Sequence, residues 1–153
     1  MDRQASYEDA KLILQLYEMR REARLREARK WFAENFYCQT MEEVNTLCPP
    51  ASEANASMRM VTSYWAMVAS FITSGVLHEE LFFQSGQELL FVWTRMRPLM
   101  DGIRATFANP NYLKNVETVA ERYIAYMNRG NPGAYDAFAA RIGTRPAQTA
   151  KAS

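Results

Sequence analysis

The chain has 153 residues, of which 48% are apolar, 12% aromatic and 23% charged, enough apolar material for one buried core and too much for an intrinsically disordered chain. Eighteen Lys and Arg against 17 Asp and Glu leave a net charge of +1, which excludes the overall basicity of a dedicated nucleic-acid binder. Cys38, Cys48 and His78 are the only cysteines and histidine, so no structural zinc site of the usual four ligands is expected.

The opening residues are charged and lack the apolar core of a signal peptide, so a cytoplasmic protein with reduced thiols is expected. Ser6 and Asp9 have the spacing of a capping box, and no Gly or Pro interrupts the chain from there to about Phe36. One long N-terminal helix is predicted. Its apolar positions begin as Leu12, Leu16, Met19 and Ala23 and finish as Leu25, Ala28, Phe32 and Phe36. The stripe thus moves round the cylinder by more than a quarter turn, so the two ends should face different neighbours. The same stretch carries Arg20, Arg21, Arg24, Arg26, Arg29 and Lys30, with Glu18, Glu22 and Glu27 interleaved at ion-pairing distances along a helix. A solvated helix face is favoured there over a phosphate or anionic-lipid site, because no aromatic residues are interleaved for base stacking.

Thr40 and Glu43 cap a short helix that Pro49 and Pro50 end, and residues 51–55 read as a loop. Met58, Val61, Trp65, Val68 and Ile72 form one helical row and Met60, Tyr64, Met67 and Phe71 a second, which predicts a central helix that is apolar on most sides. The uncharged run from Met60 to Leu77 has nominal membrane-spanning length, but its hydroxyl-bearing residues and Gly75 favour a buried helix. Gly75 is placed to cap it. From near Glu79 the row Ser85, Leu89, Val92, Met96, Leu99, Ile103 and Phe107 keeps its register across Pro98, predicting a single kinked helix. Asn109 and Pro110 open the next, with Tyr112, Val116, Val119, Tyr123 and Met127 facing inward, and residues 130–133 end it. A short helix over 134–142 follows. The expectation is an all-α fold: one helical bundle over residues 1–143 with a flexible tail over 144–153.

The chain has no Gly-rich phosphate loop, no nucleophile elbow and no Glu-x-x-His pair of a di-iron bundle, so no catalytic residue, metal or cofactor is assigned and an enzyme is not favoured. Glu42 with Glu43 and Glu79 with Glu80 sit at helix starts, where carboxylates complement the helix dipole. His78 reads as a helix-start residue. One face of the kinked helix, Leu90, Trp93, Arg97, Met100 and Arg104, places two guanidinium groups and an indole among apolar residues. Such arginines need partners. Arg104 paired with Glu117 is the favoured arrangement; the alternative is a ligand pocket in which Arg97 and Arg104 bind an anion beside Trp93.

Between Tyr64 and Tyr123 the chain carries Trp65, Gly75-Val76-Leu77, Trp93, Pro98, Arg104 and Val116-Glu117-Thr118-Val119-Ala120. In these it resembles a broad family of small bacterial all-helical domains of unknown function. The resemblance implies a helical bundle in which the tryptophan, proline and arginine of the kinked helix recur with the later glutamate, and it implies no reaction. Members often carry membrane helices ahead of the domain, which this sequence lacks, so peripheral membrane contact has no support in it. His78 stands where the pattern has an acidic helix start.

Eight Tyr, eight Phe, three Trp and nine Met are more large apolar surface than one small core readily hides. The leading expectation is a non-enzymatic interaction or regulatory module whose partner is a second copy or another helical protein.

Overall fold

The structure, a computed structural model, describes residues 3–143 and 145, so apart from Arg145 the tail expected over 144–153 lies outside the described residues. Within them the fold is all-helical, with no strand.

The predicted long N-terminal helix is two helices, α1 (Tyr7–Arg20) and α2 (Ala23–Asn35). Both halves of the Ser6 and Asp9 capping box start α1: the Asp9 amide donates to Ser6 Oγ and the Ser6 amide to the Asp9 carboxylate. Neither Gly nor Pro causes the break. Glu22 turns its carboxylate back onto the Arg24 and Leu25 amides and so caps α2, while Arg29 donates to the free Arg20 carbonyl at the end of α1 at 3.0 Å. The moving apolar stripe was the trace of this break. Leu16 is buried on one helix and Leu25, Ala28 and Phe32 on the other.

After α3 (Met41–Leu47), Ser52 caps α4 (Glu53–Thr73), which therefore starts inside the expected loop. Every member of the first α4 row, Met58, Val61, Trp65, Val68 and Ile72, is buried, and α2 and α8 (Lys114–Gly130) pack on it. It is the central helix. Gly75, at φ +82°, ends it in the left-handed conformation that a Cβ disfavours, and the Leu77 amide returns to the Phe71 carbonyl at 2.9 Å.

The predicted kinked helix comprises four pieces: α5 (Glu79–Phe83), α6 (Gln87–Met96), a 3-10 turn (Arg97–Leu99) and α7 (Met100–Thr106). Pro98 produces the 3-10 turn, and the row stays buried through it from Leu89 to Ile103. Ser85 and Phe107 fall outside: Ser85 lies in the turn before α6, and Phe107 ends α7, facing solvent. A Cβ on Gly86 would come within 2.3 Å of the Phe82 ring, so this turn needs glycine for close approach. The α8 helix begins at Lys114 rather than at Asn109, because consecutive turns through Asn111 and a positive φ at Leu113 precede it. The last helix, α9 (Ala134–Ile142), has the expected bounds.

Candidate interaction surface

The four residues singled out in the sequence do not form one site. Trp93 is buried in the core and Arg97 is exposed on the 3-10 turn. Arg104 and Glu117 do meet, with Arg104 Nη2 donating to Glu117 Oε2 at 2.7 Å and Arg104 Nε to the Tyr112 carbonyl at 2.9 Å. Lys114 adds a third contact at 3.3 Å. Burial alone would raise the Glu117 carboxyl, but hydrogen bonds from Arg104 and Lys114 together hold it below its ordinary range. The pair ties α7 to α8 and shapes the loop between them.

The deeply buried guanidinium is one the sequence reading passed over, Arg95, 6% exposed. It lies between the Tyr37 and Phe91 rings, 3.9 and 4.6 Å from their centroids, and donates to the Phe36 carbonyl at 2.7 Å and to the Ile142 carbonyl. These carbonyls lie at the C-terminal ends of α2 and α9, where a cation complements the helix dipole. Burial lowers the Arg95 pKa, and Tyr37 offsets part of that shift. Its immediate surroundings in sequence, Phe91, Val92, Met96 and Leu99, were the available signal.

Two other polar clusters join separate elements. Glu88 of α6 accepts from Arg29 Nε at 2.8 Å and Arg20 Nη1 at 3.0 Å, and Arg24 reaches Glu53 at 3.4 Å. Arg20, Arg24 and Arg29 of the basic stretch are therefore paired across helices, and none of the described ion pairs joins the stretch to Glu18, Glu22 or Glu27. Asp9 is buried, holds both Arg3 guanidinium nitrogens at 2.6 Å and accepts from the His78 amide at 2.8 Å. The hydrogen bonds from Arg3, and then those from Ser6 and His78, keep its carboxyl far below the ordinary range. His78 caps α5, its Nδ1 accepting from the Leu81 amide and its Nε2 donating to the Arg3 carbonyl. Among the described residues no cluster of His, Cys, Asp and Glu could hold a metal ion.

The unpartnered surface is on α1. Tyr7 is 78% exposed, Leu14 67%, Tyr17 50% and Met19 50%, which makes α1 the main carrier of large exposed apolar side chains in the described chain. It stands as a ridge between two apolar clefts. One, of ~300 Å³, is lined by Ile13, Leu14, Tyr17, Trp65, Val68 and Phe82, and the other, of ~590 Å³, by Leu12, Leu16, Met19, Met67 and Phe71. Underneath, the Tyr64 hydroxyl donates to the Leu16 carbonyl and fastens the ridge to α4. The sequence signal was the run Leu12-Ile13-Leu14 followed by Leu16-Tyr17, an apolar arc wider than one core-facing stripe, which leaves Leu14 and Tyr17 at its edge without a core to face. Trp65 Nε1, buried below the first cleft, has no hydrogen-bond partner.

No helix among the described residues is long and apolar enough to cross a membrane. The chain matches, over residues 5–123, the model of a family described as a domain of unknown function, DUF4760, and belongs to that family. No curated protein and no solved structure matches it.

Proposed function

We propose that this DUF4760 domain is a non-enzymatic interaction module that associates with itself through the exposed face of α1. The observation that carries this reading is the set of exposed apolar side chains on α1, Tyr7, Leu14 and Tyr17 towards one apolar cleft and Met19 in the other. Exposed apolar surface beside open apolar clefts is stabilised by covering it. Size sets a requirement. A 14-residue helix is ~21 Å long and ~10 Å wide, which offers on the order of 200 Å² as a bare ridge. A specific interface removes about 800 Å² per partner from water, so both flanking clefts must take part.

The polar clusters support a structural rather than a catalytic use of the charged groups. Arg95, Arg104, Glu88 and Asp9 are all engaged in holding elements together. Cys38 and Cys48 are buried free thiols, and burial, with a smaller contribution from Cys38, pushes Cys48 up to about 11. Such thiols suit the reducing interior of a bacterial cell, where we place the protein.

Sedimentation equilibrium from low to high micromolar concentration tests the reading. A reversible monomer–dimer equilibrium is expected, and a strict monomer across that range would overturn it.

A further inference from the structure

We infer that the partner on α1 is a second copy held antiparallel, with Lys11 of each chain against Glu18 of the other across Leu14. This rests on the reading of α1 as the contact face and adds its geometry.

Tyr7, Lys11, Leu14, Glu18 and Arg21 recur at alternating spacings of four and three, which places them on one stripe of a helix, and all five are exposed. That spacing is the one by which one helix lies along another, here with Tyr7 and Leu14 as its apolar members and the flanking clefts supplying the rest of the apolar contact. Within the seam the charges have an order: Lys11 is one turn before Leu14 and Glu18 one turn after it. Neither takes part in any described ion pair, and Lys11, whose ammonium lies 5.9 Å from the centroid of the Tyr7 ring, keeps its charge free of a carboxylate.

A two-fold interface brings one patch against itself, so the patch must be complementary to its own image. If the second α1 runs the opposite way, reversal about a point beside Leu14 brings Lys11 of each chain against Glu18 of its partner, twice by symmetry. If the second α1 runs the same way, Lys11 meets Lys11 and Glu18 meets Glu18, and both contacts are repulsive. The charge order selects the antiparallel arrangement. A different helical partner would need its own matching order, whereas this seam already matches itself.

The test uses Lys11→Glu, Glu18→Lys and the double variant, compared with the unaltered chain by sedimentation equilibrium, with circular dichroism to establish that each folds. Each single change turns two attractive contacts into repulsive ones and is expected to weaken self-association roughly tenfold. The double variant restores the order with signs exchanged and should associate as the unaltered chain does, and an equal mixture of the two single variants should form a mixed dimer. Single variants that associate as well as the unaltered chain would overturn the antiparallel pairing while leaving self-association in place. An unaltered chain that stays monomeric would overturn both.

Discussion

At the scale of single residues, each buried charge in this domain is satisfied in a different way. Arg104 has a carboxylate, as its place on an apolar helix face led us to expect, but the geometry moderates the consequence of losing it. Glu117 keeps Lys114 after Arg104→Met, and 14% of the Arg104 and 22% of the Glu117 side chain remain in contact with water. The expected cost is about 1 to 3 kcal/mol by thermal unfolding, with Glu117→Leu in the same chain recovering part of it. Strictly additive losses would show that the two do not depend on one another. Arg95, by contrast, has backbone carbonyls and two aromatic rings as its partners and no carboxylate among them. Sequence reasoning looks for opposite charges and has no view of helix ends that converge from distant parts of the chain, which is why Arg95 was not legible there. Asp9 gives a pH prediction. Its folded pKa lies far below the ordinary carboxylate value of ~3.9, so the stability it contributes is complete above that value and is lost progressively as pH falls from there towards the folded pKa. Asp9→Asn should lower stability at neutral pH and flatten the decline on acidification; an unchanged acid limb would remove Asp9 from the account.

At the scale of elements, the periodic signals located the core well and the punctuation poorly. The α4 rows, the buried positions of α6 and α7 and the bounds of α9 were all readable, because burial imposes a period that survives a local change of helix type. Helix breaks without Gly or Pro were not readable. The α1–α2 break is made by the Glu22 carboxylate together with Arg29, and the delayed start of α8 by a turn that Arg104 steadies from outside. Backbone strain marks another such place. Ala108 follows α7 at φ +48°, is exposed, and occupies a position that suits glycine, with the Asn109 amide returning to the Arg104 carbonyl at 3.0 Å. Ala108→Gly should therefore raise stability by about 0.5 to 1 kcal/mol, read as an upward shift in melting temperature. A loss of the same size would mean that the turn is not held in the left-handed region.

At the scale of the whole molecule, the composition held the general clue and the structure located it. An aromatic- and Met-rich chain of this length has more apolar surface than one core covers, and most of the excess lies on α1. The same helix is anchored at its start by Arg3, Asp9 and His78 and at its end by Arg20 and Glu88, so its outward face is presented on a rigid support. Rigid presentation lowers the entropy lost on association. The candidate pocket read from Trp93, Arg97 and Arg104 did not foresee this surface, since Leu14 and Tyr17 stand beside the apolar stripe of Leu12 and Leu16 and only the packing shows that they lie outside the core.

Leu14 is the largest exposed aliphatic group on the α1 ridge and touches no anchor of the fold, which makes it the place to test self-association with least effect on folding. Leu14→Asp, compared with the unaltered chain by sedimentation equilibrium at micromolar concentration, should be monomeric where the unaltered chain is dimeric, while its circular dichroism spectrum stays the same. A Leu14→Asp chain that dimerises as strongly as the unaltered one would contradict the assignment of α1 as the contact face.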